Sequence, residues 1–325
     1  MPPRTRLGPA LRRSFDRSVH VAARALYSLV PGAAPARHGV ELLRDIPYRD
    51  TGKRAHLLDI YRPAQTEGGV APRPVVLYVH GGAFSMLSKD THRVMALEFA
   101  RRGYVVFNIN YRLGPKHRYP APLEDAAAAL LYAAEHAREH GGDPGRIVLA
   151  GESAGANLVT ALAYIATHPR PEPFARALFE RNVRIRAVLP IYGLLDLHHI
   201  ERFVEHPRLS KFVKMELRTA HTSYLGPEVA AAARQAELAS PLRLLMDPPS
   251  EGSRPLPPFF AAVGTADPLL DDSRRLKAAL EKRGILCELA VYPGEIHGFN
   301  AMVWRPAAKA KWKAVFDFLS RHLID

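Results

Sequence analysis

Ser153 sits in Gly151-Glu152-Ser153-Ala154-Gly155, directly after the apolar run Arg146-Ile147-Val148-Leu149-Ala150 and just before a helix-like stretch from Ala156 to Thr167. A serine hydroxyl is a weak nucleophile. To attack a carbonyl it needs a base that takes its proton, a third group that orients the base, and donors for the negative charge that builds on the carbonyl oxygen. A strand, a turn too tight for flanking side chains and a helix would hold such a serine out above the end of a sheet. G-x-S-x-G alone arises often by chance, so the case rests on what else the chain provides.

Three further segments provide it. His80-Gly81-Gly82-Ala83-Phe84 follows the apolar strand Pro74-Val75-Val76-Leu77-Tyr78-Val79, and small residues there let backbone N–H groups turn toward a developing oxyanion. Gly264-Thr265-Ala266-Asp267-Pro268 follows Phe259-Phe260-Ala261-Ala262-Val263. Glu295-Ile296-His297-Gly298-Phe299 follows Cys287-Glu288-Leu289-Ala290-Val291-Tyr292. Each places a polar residue at the C-terminal end of a strand, where open parallel sheets build their sites.

Other residues compete for these roles and read less well. His136, His140, His168, His198, His199 and His206 lie in helical or polar connecting stretches, whereas His297 follows a strand late in the chain and precedes a glycine and an aromatic. Asp271 and Asp272 read as the start of a helix from Ser273 to Arg283, where acidic side chains satisfy free N–H groups. Asp267 is therefore the expected orienting acid. His80 lies on the wrong element to be the base and reads as a support of its loop.

The elements needed to position these residues are legible as strands near 41–48, 55–62, 75–80, 104–110, 146–150, 186–192, 259–264 and 286–292, alternating with helical runs. A chain of 325 residues, 47% hydrophobic, can bury a large core. The expected fold class is α/β, with a mostly parallel eight-stranded sheet flanked by helices. The stretch from about 196 to 245 is rich in helix formers and reads as a helical cap inserted over the strand ends. Asp247 to Pro258 is the clearest loop.

Taken together these motifs resemble the hormone-sensitive-lipase-like family of α/β-hydrolase carboxylesterases, from about Asp45 to the C-terminus. The order Ser153, Asp267, His297 is that of the α/β-hydrolase triad. Asn110-Tyr111-Arg112-Leu113-Gly114-Pro115 is similar to the family's D-Y-R-L-A-P, and Tyr119 to Asp125 to the segment after it. Ala239-Ser240-Pro241-Leu242-Arg243 is similar to the stretch before its seventh strand. The resemblance implies Ser153 as nucleophile, His297 as base and Asp267 as its acid, with the N–H groups of Gly81, Gly82 and Ala154 forming the oxyanion hole. It implies hydrolysis of short- to medium-chain carboxylic esters through an acyl-enzyme. Ala83 stands where the family's loop has its third glycine, which implies a wider space for the alcohol of an ester. Asn110 and Lys116 stand where acids are usual, so a supporting salt-bridge network is expected to differ. Tyr111, Arg112 and Asp125 read as scaffold.

The same triad also serves lipases acting at a lipid surface, amide hydrolysis and acyl transfer. A hydrolase fold reused as a ligand-binding receptor, as in the plant gibberellin receptors that the family also resembles, tends to lose a triad member. This chain keeps all three.

Residues 1–40 hold seven arginines and one aspartate, a large share of the formal charge of +13. Leu11, Phe15, Val19, Ala22, Leu26 and Val30 fall on one helical face, with Arg13, Arg17 and Arg24 on the other. A cap helix over the site, as in the resembled family, is the favoured reading. A membrane-surface helix and an Arg-rich transit peptide are the alternatives. Elsewhere the charge is mixed and no basic run is interleaved with aromatics, so nucleic acid is not an expected partner. A small-molecule ester is expected, with peripheral contact to an anionic membrane as a further option. Cys287, the single cysteine, fits a reducing, cytoplasmic setting. No metal-ligand spacing and no phosphate loop is present, so neither a metal nor a cofactor is expected.

Overall fold

The computed structural model describes residues 34–64, 71–207, 209–227 and 236–323, together with 14, 16, 18, 20 and 21. Its centre is an eight-stranded sheet of β1 (Val40–Pro47), β2 (Leu57–Pro63), β3 (Arg73–Val79), β4 (Val105–Ile109), β5 (Gly142–Glu152), β6 (Ile185–Ile191), β7 (Phe259–Gly264) and β8 (Cys287–Tyr292). The spatial order is β1-β2-β4-β3-β5-β6-β7-β8. Pairings β1–β2 and β2–β4 are antiparallel. The rest, from β4 through β3, β5, β6 and β7 to β8, are parallel. All eight strands match those read from the sequence to within a few residues at each end. The largest difference is β5, which begins at Gly142 because Arg73 and Pro74 of β3 pair with Gly142 and Asp143 ahead of a register shift.

Strand side chains alternate between faces, and here both faces are covered, so the strands read as unbroken apolar runs. Val75, Leu77, Val79, Ile147 and Leu149 pack in one layer with Leu130 and Leu158. The latter pair belong to helices α2 (Ala121–His136) and α3 (Ala154–Thr167). Val76, Tyr78, Val148 and Ala150 pack in the other, with Phe99 of α1 (Arg93–Ala100) and with Trp312, Val315 and Phe318. That layer's last three side chains come from the C-terminal helix, Pro306–His322.

Helix α4 (Pro173–Arg181) leads into β6. The connection from β6 to β7 carries α5 (Glu201–Val204), α6 (Lys211–Leu225) and α7 (Pro241–Met246), and its described residues hold no strand. Helix α8 (Leu270–Lys282) follows β7, and the C-terminal helix is α9. Helix α8 corrects one expectation: Asp271 and Asp272 lie in its first turn but do not cap it. Asp272 is fully buried and accepts instead from the N–H groups of Leu195 and Asp196, at 2.8 and 3.2 Å. Arg202 pairs with both aspartates. These bonds tie the β6–β7 connection to α8.

Strands β3, β5, β7 and β8 all run in one direction, so the segments holding His80, Ser153, Asp267 and His297 leave the sheet at the same end.

Candidate active site

Strand β5 ends at Glu152, and Ser153 makes the turn into α3 with φ 52 and ψ −115. A non-glycine residue in such a region costs about 1–3 kcal/mol and persists only where its surroundings leave no alternative. The surroundings here are the flanking glycines. A Cβ on Gly155 would run into the carbonyl of Val79, and one on Gly151 would lie 2.6 Å from the oxygen of Gly155. Only glycine lets the start of α3 press against the end of β3, and that contact pins the elbow. The N–H of Ser153 bonds to Ile191 O at 3.0 Å, which fixes the turn from the β6 side.

Nε2 of His297 lies 3.0 Å from Ser153 Oγ, and Nδ1 lies 2.9 Å from Asp267 Oδ2. The other carboxylate oxygen of Asp267 accepts from the N–H of Leu269 at 2.8 Å, so Asp267 rather than Asp271 or Asp272 reaches the histidine. Asp267 is buried, whereas the His297 side chain is 37% exposed. Their loops are sewn together: Thr265 N–H donates to Tyr292 O, Ala266 N–H to Glu295 O and Gly294 N–H to Thr265 Oγ1, at 2.8–3.0 Å. Burial alone would depress the pKa of His297. The charge of Asp267, the hydrogen bond to it and the charge of Glu152 more than reverse this, so the net direction is upward from 6.5.

The loop after β3 takes three successive left-handed residues: Gly82 (φ 112), Ala83 (φ 52) and Phe84 (φ 56). Gly82 is obligatory here, because a Cβ would strike the carbonyl of Met86. Gly82 O accepts from the N–H groups of Ser85 and Met86 at 3.0 Å, and Phe84 O accepts from Gly114 at 2.8 Å. Gly81 lies against the elbow: a Cβ there would sit 3.4 Å from that of Ser153. Among the described residues the N–H groups of Gly81, Gly82 and Ala154 have no hydrogen-bond partner, and Ala154 is the first residue of α3, where N–H groups are free by geometry.

His80 is buried. Its Nδ1 bonds to Gly81 O at 2.6 Å, its ring stacks on Tyr111 at 4.3 Å, and its own carbonyl accepts from the Tyr111 hydroxyl at 2.9 Å. Burial, with the charge of His92 next, pushes its pKa down to about 3, so it stays neutral. Tyr111 is thus a direct prop of the loop, as its reading as scaffold implies. Arg112 forks onto Asp125 with Nε and Nη2 each at 2.8 Å, and Arg49 adds a bond at 2.8 Å.

Asn110 departs from the usual acid for a visible reason. Its Oδ1 accepts from Lys89 N–H at 2.8 Å and its Nδ2 donates to Arg54 O at 3.0 Å, a donation that no carboxylate can make. Charge pairing moves instead to the fully buried Lys89, which holds Asp59 at 2.6 Å and Asp45 at 2.8 Å. Nothing in the local pattern of residues marked Lys89 for that role.

Two contacts run from the N-terminal segment to the residues that follow the loop after β3. Asp16 Oδ1 accepts from Leu87 N–H at 2.9 Å, and His20 Nε2 lies 2.8 Å from Ser88 Oγ. The apolar stripe from Leu11 to Val30 and Arg13, Arg17 and Arg24 lie outside the described residues. From the β6–β7 connection, Tyr224 of α6 stacks flat on Phe84 at 3.9 Å. Among the described residues no group of three or more His, Cys, Asp or Glu could hold a metal ion.

The arrangement is a hydroxyl facing the free nitrogen of an imidazole whose other nitrogen is held by a buried carboxylate, beside unpaired backbone donors. Its chemistry is acyl transfer from an activated carbonyl. Comparison with known proteins agrees. A family model described as an alpha/beta hydrolase fold matches residues 76–301. The chain is 32% identical over 260 residues to an acetyl esterase of Salmonella schwarzengrund, covering 78% of this chain and 70% of that one. It is 31% identical over 274 residues to carboxylesterase NlhH of Mycobacterium tuberculosis, covering 83% and 76%. Among solved structures it is similar to a bacterial heroin esterase, with TM-score 0.76 and 25% identity over 98% of this chain and 92% of that one. The chain belongs to the hormone-sensitive-lipase-like family of α/β hydrolases and is a carboxylic ester hydrolase.

Proposed function

We propose that Ser153 is the nucleophile, His297 the general base and Asp267 the acid that orients it. The unbroken line of hydrogen bonds from Ser153 Oγ through His297 to Asp267 carries this reading. His297 Nε2 takes the serine proton as Oγ attacks the ester carbonyl, and the N–H groups of Gly81, Gly82 and Ala154 receive the oxyanion. The imidazolium then protonates the departing alcohol. Water activated by the same Nε2 releases the acid and restores the serine. Measuring p-nitrophenyl butyrate turnover tests the assignment: Ser153→Ala is expected to lose on the order of 10⁴-fold or more in rate with the fold intact, and activity near the parent would reject it.

The substrate class is short- to medium-chain esters, a reading supported by the acetyl esterase and carboxylesterase relatives. Residues from about 196 to 245 form the cap over the site, and the N-terminal segment, residues 1–40, completes it. The contacts of Tyr224 with Phe84, Asp16 with Leu87 and His20 with Ser88 support both statements. The protein works in the cytoplasm, in keeping with a lone buried cysteine.

A second reading, an esterase working at a lipid surface, is favoured by one observation. Phe212 and Met215 of α6 are 67% and 53% exposed, on a helix that also carries Lys211, Lys214 and Arg218. Apolar side chains among cations suit an anionic membrane surface. Among the described residues no helix is long and apolar enough to cross a membrane, so such contact would be peripheral. Salt-sensitive binding to anionic liposomes tests it.

A further inference from the structure

A buried carboxylate stands directly behind the nucleophile. Glu152 is 6% exposed, and its Oε2 accepts from the Tyr192 hydroxyl at 2.8 Å and from the Asn300 amide at 3.3 Å, while Oε1 pairs with His92 Nε2. Each partner belongs to a different part of the site. Tyr192 follows β6 and stands edge-on to the His297 ring, centroids 4.8 Å apart. Asn300 lies three residues beyond His297 on the short turn Phe299–Ala301, and its amide oxygen contacts the Tyr192 hydroxyl. His92 precedes α1, and its ring lies 5.6 Å from that of His80, whose Nδ1 holds Gly81 O.

Backbone strain collects around the same side chain. Tyr192 has φ 37 and Ser153 has φ 52, both unusual for residues with a Cβ. Strained positions of this kind persist where tertiary contacts over-determine them. Tyr192 bonds the Glu152 carboxylate through its hydroxyl, and Ser153 directly follows Glu152 in the chain; the proposed chemistry does not otherwise use that carboxylate.

Resting on the assignment of Ser153 and His297, we propose that Glu152 is a positioning residue: through Tyr192 and Asn300 it fixes the His297 loop, and through His92 it fixes the loop that carries Gly81. Hydrogen bonds to Tyr192, Asn300 and His92, with the ring contact of His92 on His80, hold the nucleophile, the base and the loop of Gly81 in mutual register, so a single carboxylate reaches the β5, β6 and β8 ends and that loop.

The charges agree with this role. Burial alone would raise the pKa of Glu152, but the charge and hydrogen bond of His92, then Tyr192 and Lys311, hold it at about 2, so it is ionised. Lys311 is itself buried beside Asn300 and Trp312, and burial pushes it down to about 7 despite Glu152 and Glu98. His297 in turn feels Asp267 and Glu152. Removing the Glu152 charge therefore lowers the pKa of His297, whereas removing the Tyr192 hydroxyl does not.

The test compares Glu152→Gln and Tyr192→Phe with the parent and with Ser153→Ala. Thermal unfolding reports the fold, and a p-nitrophenyl phosphonate titrates active sites. For Glu152→Gln, kcat on p-nitrophenyl butyrate per titrated site is expected to fall by roughly 10- to 100-fold with KM within about twofold, as for a misplaced catalytic group. The acid limb of kcat/KM moves to lower pH. Tyr192→Phe lowers kcat in the same sense without moving that limb. A Glu152→Gln enzyme that melts earlier but keeps the parent kcat and pH midpoint would overturn the proposal and leave Glu152 a stabilising ion only. If Glu152→Gln fails to fold, Tyr192→Phe and Asn300→Ala decide, and parent kcat in both overturns it. An active Ser153→Ala would instead reject the underlying assignment, which separates the two failures.

Discussion

His297 donates its Nδ1–H to Asp267 Oδ2 at 2.9 Å, which leaves Nε2 as the proton acceptor 3.0 Å from Ser153 Oγ. A neutral imidazole carries one proton, and a carboxylate at Nδ1 decides where it resides. In the proposed mechanism the buried acid therefore sets the tautomer that proton transfer from the serine requires, as well as the angle of the ring.

Asp267→Asn keeps the shape and spoils the tautomer. Its kcat is expected to fall by about 10⁴-fold, the scale seen when a triad aspartate becomes an amide. Asp271→Asn is the control, because Asp271 is 61% exposed and among the described residues pairs only with Arg202, so kcat should stay within about twofold of the parent. Steady-state kinetics on both variants makes the comparison. A more damaging Asp271→Asn would place the acid wrongly.

With His297 as the proposed base, activity is expected to follow its protonation. Its pKa is raised, and only the neutral ring accepts the serine proton, so kcat/KM is lost as pH falls through a midpoint above 6.5 and is fully present above it. Replacing Asp267 removes the main groups that raise it, so residual activity in Asp267→Asn should show its midpoint displaced downward. A flat pH profile between 5 and 9 would contradict a histidine base.

Much of this site was legible from Gly151 to Gly155, from His80 to Phe84, and around Asp267 and His297, because glycines and apolar runs punctuate strand ends locally. The Glu152 cluster was not. Glu152 occupies a position that the motif leaves free, and its partners Tyr192 and Asn300 are 40 and 148 residues away in sequence. Only the parallel order β5-β6-β7-β8 gathers them. Asp272 misled for a related reason: its place in the first turn of α8 suggested a cap, yet tertiary contact with Leu195 and Asp196 claimed its oxygens. Asn110 and Lys89 show the same limit, since the amide and the buried cation make sense only as a pair of neighbours brought together by the fold.

Deleting residues 1–30 removes Asp16 and His20 from Leu87 and Ser88. If the segment covers the acyl site, kcat/KM for octanoyl esters should fall more than for acetyl esters, by roughly tenfold, the equivalent of about 1.4 kcal/mol of lost contact. Kinetics across acyl lengths and flotation with anionic liposomes are the paired measurements. Unchanged kinetics with lost liposome binding would assign the segment to the membrane, and no change in either would make it dispensable.

The most direct test of the central claim is covalent. The protein is incubated with a p-nitrophenyl alkylphosphonate, which a serine attacks with loss of p-nitrophenol but which water does not readily release, and the adduct is located by peptide mass spectrometry. One phosphonyl group per chain on Ser153, blocked by His297→Ala, is the outcome expected from the hydrogen-bonded line Ser153–His297–Asp267. An adduct on another residue, or full esterase activity surviving modification of Ser153, would contradict it.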